Sequence, residues 1–125
     1  MKKLTPVLYV EAIEPCLAFW VDRLGFEKSV EVPHGDRLGF VILTHGPVEV
    51  MLQSWASVAD DVAALAALPR GTSSALYVDV DDFEGTRRKL EGCDIVVPVR
   101  KTFYGATEIG VREPGGHIVM FAEMS

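Results

Sequence analysis

The sequence predicts an α+β protein in which a β-α-β-β-β module is written twice to build a curved mixed sheet. Three observations carry this. Leu8-Tyr9-Val10-Glu11 recurs 68 residues on as Leu76-Tyr77-Val78-Asp79, and Val50-Met51-Leu52 recurs 69 residues on as Val119-Met120-Phe121. A Gly/Pro turn precedes each later segment, His45-Gly46-Pro47 in one half and Glu113-Pro114-Gly115-Gly116 in the other. A short amphipathic stretch closing on Leu and Gly follows each earlier segment, at Leu24-Gly25 and at Leu90-Glu91-Gly92. Shared order at nearly constant spacing makes duplication the simplest account.

The first module spans 1–53. Val7 to Glu11 alternates and is rich in strand formers. Glu14-Pro15 opens a helix, with proline in the first turn, where its missing N–H costs nothing. Leu17, Trp20, Val21 and Leu24 keep helical spacing, and Gly25 suits a left-handed C-terminal cap. Strands follow at Phe26 to Val32, Leu38 to Thr44 and Val48 to Gln53. A connecting helix and linker fills 54–72, with Ser57 and Asp60 as its cap and an alanine-rich run from Val58 to Leu68. The second module, 73–125, reads as a strand from Ser74 to Val80 and a helix from Phe83 to Leu90, capped by Asp81 and Glu84. Strands near Asp94 to Val99, Thr107 to Arg112 and His117 to Glu123 complete a single domain over 1–125.

The composition, 49% hydrophobic and 24% charged, is that of a soluble globular domain. Twelve basic residues against 18 acidic ones, scattered without a basic stripe, argue against nucleic acid. No apolar run is long enough for a membrane span or a signal peptide. Cys16 and Cys93 belong to no CxxC or Cys/His cluster and fit reduced thiols in a cytoplasm. His34, His45 and His117 fall in or beside turns and read as solvated loop residues. No GxSxG or Gly-rich phosphate loop is present.

The stretch Phe103-Tyr104-Gly105-Ala106-Thr107-Glu108-Ile109-Gly110-Val111-Arg112-Glu113-Pro114-Gly115-Gly116-His117 resembles the closing hairpin of the vicinal oxygen chelate superfamily, with its acidic-Pro-x-Gly turn. That superfamily contains glyoxalase I, extradiol dioxygenases and bleomycin-resistance proteins. Leu17-Ala18-Phe19-Trp20 with Leu24-Gly25-Phe26 resembles its first helix and exit. The resemblance implies metal-ligand positions near Thr5, Met51, Ala75 and Met120, where enzymes of the family carry His, Glu or Gln. None of these four residues suits a divalent metal used as a Lewis acid, and their neighbours are no better. No metal and no other cofactor is therefore expected.

What remains points to binding. Glu108, Gly110 and Arg112 share a strand face, so Glu108 either meets a ligand inside the sheet, pairs with Arg112 or lies on the wet face. Met51 and Gln53 share another face, with Glu49 solvated nearer the turn, and Met51 and Met120 make an adaptable apolar wall. Trp55, Phe103 and Tyr104 stand at strand ends and loops, where aromatic rings hold flat or cationic compounds. Tyr9 and Tyr77 occupy equivalent repeat positions, open to either a cavity or a core role, whereas Trp20 belongs to the core. The candidate ligand-binding set is thus Tyr9, Met51, Gln53, Trp55, Phe103, Tyr104, Glu108 and Met120. By resemblance to bleomycin-resistance proteins, the expected function is metal-independent sequestration of a bulky cationic or aromatic compound, such as a bleomycin-type antibiotic, by a homodimer. The alternative is an enzyme of the same fold with a non-standard or absent metal site, with Glu108, Tyr104 or His34 supplying acid/base chemistry.

Overall fold

The computed structural model describes residues 1–71 and 74–125. Thr72 and Ser73, at the expected junction of linker and second module, lie outside the described residues. The chain forms two compact units, Met1–Arg70 and Gly71–Ser125, each with its own four-stranded mixed sheet.

In the first unit β1 (Val7–Val10) leads into α1 (Glu14–Leu17), followed by a π-helical turn (Ala18–Arg23). Three antiparallel strands follow, β2 (Glu27–His34), β3 (Arg37–His45) and β4 (Val48–Ser54). The sheet order is β1-β4-β3-β2, with β1 parallel to β4. Alternate side chains Leu8, Val10, Val41, Leu43, Val50 and Leu52 are buried with Ile13, Cys16, Phe19 and Trp20. Val7, Tyr9, Phe40, Ile42, Met51 and Gln53 point to the opposite, open face.

The helix departs from the expected period. Leu24 N–H donates to the Phe19 carbonyl five residues back, at 3.1 Å. This wider turn rotates the register, so Phe19 is buried while Leu17 and Val21 are only half-buried. Gly25 then reverses the chain with φ +82°, as its place after the helix predicts.

The linker helix also begins and ends differently. Ser54 is the cap, its Oγ accepting from Ser57 N–H at 3.1 Å, so α2 (Trp55–Asp61) starts three residues before the expected point. Val62 is extended (φ −135°, ψ 104°) and separates α2 from α3 (Ala63–Ala66). The alanine run contributes no buried side chain in α3, and packing, not propensity, holds most helices together.

The second unit repeats the plan with β5 (Ala75–Asp79), α4 (Phe83–Lys89), β6 (Asp94–Lys101), β7 (Ala106–Arg112) and β8 (Ile118–Met124). Its order is β5-β8-β7-β6. Asp82, not Asp81, caps α4, its carboxylate accepting from Gly85 N–H at 3.0 Å. Glu123 on β8 takes the Phe83 N–H at 2.8 Å, a helix-end donor that a local capping box would not reach.

The two copies are not in the same register. Tyr9 lies beside Gln53, whereas Tyr77 lies beside Met120, the counterpart of Met51. The expected equivalence of the tyrosines is therefore corrected: the register of β5 on β8 differs by two residues from that of β1 on β4. A slip of two keeps the inward and outward faces, so the sequence pattern does not reveal it.

Candidate functional site

The open face of the second unit centres on Glu108. It is 1% exposed, yet it sits on the side of β7 away from the hydrophobic core. What covers it is polar. Arg100 on β6 donates from Nε at 2.8 Å and from Nη2 at 2.6 Å to Oε1. The hydroxyls of Tyr77 on β5 and Tyr104 in the β6–β7 loop donate to Oε2 at 3.1 Å and 3.0 Å. Four donors occupy the acceptor capacity of the carboxylate. Burial pushes its pKa up, but the Arg100 guanidinium and the two tyrosine hydroxyls outweigh this and hold it below the usual carboxylate range. The neighbouring Tyr104 hydroxyl, burial and Glu108 together push the Tyr77 phenol well above its ordinary value.

Neither structural alternative for Glu108, a pair with Arg112 or a place on the wet face, holds. Residues four apart on a strand are separated by about 13 Å, whereas Arg100 stands directly across the ladder from Glu108. Arg112 instead faces Asp94 at 3.7 Å and donates to the Gly116 carbonyl at 3.3 Å. Arg100 was legible in principle, because it and Glu108 are equidistant from Tyr104 at the hairpin centre.

Beside this cluster Phe103 packs edge-on against Tyr104, with ring centroids 5.1 Å apart. Met120 lies across Gly110: a Cβ there would stand 2.5 Å from the Met120 sulfur and 3.0 Å from Val97 Cβ. Gly110 therefore makes the groove in which the thioether rests. Gly110→Ala is expected to displace Met120 and to cost about 1–2 kcal/mol, read by urea unfolding; unchanged stability would show that the groove has slack.

The first unit gathers a different group. Tyr9 and Trp55 pack with centroids 5.1 Å apart, and the Arg70 guanidinium lies 4.9 Å from the Trp55 ring centre while pairing with Glu11 at 2.9 Å. Gln53 turns its amide inward, its Nε2 donating to Ser57 at 3.3 Å and Asp61 at 3.4 Å. Glu49 is not simply solvated: Lys3 at 2.9 Å and Thr5 at 3.0 Å bind it and hold its pKa down.

The histidines are correspondingly less loose than their turns imply. His34 bonds Asp60 at 2.7 Å and His117 bonds the buried Glu113 at 2.8 Å, while the exposed His45 packs beside Phe26. Cys16 is buried, in keeping with its reading as a small hydrophobe.

The positions where the superfamily places metal ligands do not fit a divalent cation. Thr5 gives its proton to Glu49, Ala75 has only a methyl group, and Met51 and Met120 offer thioethers, which select soft metals. Among the described residues no three His, Cys, Asp or Glu side chains come together as a metal site.

The eight expected site residues therefore fall into two groups. Tyr9 and Trp55 meet in the first unit, with Met51 and Gln53 on the same open face; Phe103, Tyr104, Glu108 and Met120 share the open side of the second. Arg100 and Arg70 are additions, and Tyr77 moves firmly to the open side.

No helix among the described residues is long and apolar enough to cross a membrane. No curated protein matches the chain in sequence. Among solved structures, it resembles a glyoxalase/bleomycin resistance protein/dioxygenase family enzyme from Burkholderia phytofirmans PsJN (TM-score 0.79, 16% identity, 97% of both chains). It also resembles a lactoylglutathione lyase from Agrobacterium tumefaciens (TM-score 0.72, 17% identity, 98% of this chain and 94% of that one). TioX from Micromonospora sp. ML1 is similar over the full length of both chains (TM-score 0.74, 19% identity). At such identities the likeness is one of fold. The family model for the glyoxalase/bleomycin resistance protein/dioxygenase superfamily matches residues 4–121, nearly the whole sequence, and the chain belongs to that superfamily.

Proposed function

We propose that this protein binds a bulky, flat organic compound by contact and hydrogen bonding, without a metal, and acts by sequestering it. The observation that carries the reading is the Glu108 cluster, whose carboxylate is spent on Arg100, Tyr77 and Tyr104 and so fixes aromatic side chains on an open face. A general acid or base needs a pKa near neutrality, and Glu108 is moved the other way. The acidic balance, 18 acidic residues against 12 basic, supports a cationic group as part of the ligand. A bleomycin-type antibiotic is one compound of this description. The reading carries with it a cytoplasmic homodimer, since ligand grooves in this superfamily commonly form between two chains.

The test is a thermal-shift titration with nickel, manganese, zinc and iron, and with a panel of aromatic and cationic antibiotics including bleomycin. A compound that binds only the folded state raises the Tm with the logarithm of its concentration. The expected result is a shift with an organic compound and none with metals. A saturable shift with a metal would overturn the proposal in favour of a superfamily enzyme.

A further inference from the structure

The geometry points to Glu108 as the residue that sets the hydrogen-bonding polarity of the open face, making Tyr77 and Tyr104 acceptors and selecting ligands that carry an N–H donor beside an aromatic ring. This rests on the binding function proposed above and adds what the ligand must present.

An ionised carboxylate has no proton to give, so in each bond to Oε2 the tyrosine is the donor. Each phenol has one proton. With both protons held inside the cluster, by Glu108 and between the two neighbouring hydroxyls, the pair has only lone pairs left for a ligand. The arrangement is held at pH 7 because Glu108 stays charged and Tyr77 stays protonated. Both rings remain reachable, Tyr104 being 45% exposed. A ligand N–H gains an oriented acceptor there. A ligand carbonyl set against the same oxygens meets lone pairs instead.

Arg100 makes the device reversible by mutation. In Glu108→Gln the amide oxygen must turn to Arg100, which can only donate. The NH2 group then faces the tyrosines, which accept from it and release their own protons toward the ligand. A single isosteric change thus converts an accepting face into a donating one.

The experiment uses three bicyclic compounds of similar size: indole, which carries an N–H; benzofuran, which does not; and 1-indanone, which carries a carbonyl. Each is titrated into the full chain by NMR, with shifts followed at the amides of Tyr77, Tyr104 and Met120. Indole is expected to bind about three- to tenfold tighter than benzofuran, the value of one net hydrogen bond. In Tyr77→Phe/Tyr104→Phe, which keeps the rings and removes the acceptors, the ratio should fall to about one. In Glu108→Gln the preference should pass to 1-indanone. Equal binding of indole and benzofuran by the unmodified protein overturns this inference and leaves the binding function standing. No perturbation by any of the three compounds overturns both. If Glu108→Gln does not fold, the Phe pair still decides, because a ratio unchanged by loss of both hydroxyls refutes the role given to them.

Discussion

Replacing Glu113 with alanine will destabilise the protein by about 2–4 kcal/mol, through the turn that joins β7 to β8. Glu113 is 2% exposed, and its carboxylate accepts from Gly115 N–H, His117 N–H and His117 Nδ1, each at 2.8 Å. Gly116 completes the turn at φ +98°, a conformation that side chains resist. Alanine leaves those donors without their acceptor inside a tight turn. The same carboxylate should make stability fall in acid. Burial raises its pKa, but the His117 and backbone donors more than reverse this, so the folded value lies below the ordinary 4.5. A depressed carboxylate contributes fully above its unfolded pKa and loses that contribution as pH falls through the folded one. Melts at neutral pH and from about pH 5 down to 3 check both parts. Glu113→Gln, which cannot titrate, should be less stable at neutral pH and lose less on acidification. A parent-like Tm for Glu113→Ala would remove the turn from the stabilising elements.

Trp55→Ala and Tyr104→Ala will separate folding from binding. Trp55 looks from the sequence like a ligand-facing aromatic, but its ring is 8% exposed, packed on Tyr9 and covered by Arg70. Removing such a ring costs about 3–5 kcal/mol, roughly 10–20 °C in Tm for a chain of this size. Tyr104 is half exposed and holds one hydroxyl bond, so its loss should cost about 1 kcal/mol. If the second unit carries the ligand, Tyr104→Ala should weaken binding at least tenfold, as loss of an aromatic anchor does. Urea unfolding reads the first quantity and ligand-induced Tm shifts the second. A stable Trp55→Ala protein, or full ligand response in Tyr104→Ala, would contradict the division of roles.

The duplicated plan was legible because it is written in features that survive divergence: alternation in the strands, glycine at the helix exit, and the Gly/Pro turns. Helix caps were missed where a more distant residue satisfied the donors, as Glu123 does for Phe83. The π-helical turn was invisible because Leu17, Trp20, Val21 and Leu24 already fit an ordinary helical period. Glu108 stands out as a carboxylate in an apolar strand, but same-strand parity points to Arg112, and only the cross-strand pairing brings Arg100 to it. The burial of Trp55 is not legible, because position at a strand end does not determine it; Arg70, fifteen residues on, covers the ring.

The slip of β5 by two residues bears on how a duplicated gene can diversify. A difference of an even number keeps inward side chains inward, although Leu76 and Val78 are only half-buried where Leu8 and Val10 are buried. The open side is nevertheless dealt a new hand. A tyrosine inherited by both copies lies next to glutamine in one and next to methionine in the other. In the second unit the phenol reaches a carboxylate, while in the first the ring lies against a tryptophan. A tyrosine at the same place in the repeated sequence thus has two chemistries, and the difference lies in the pairing of the strand and not in the residue itself.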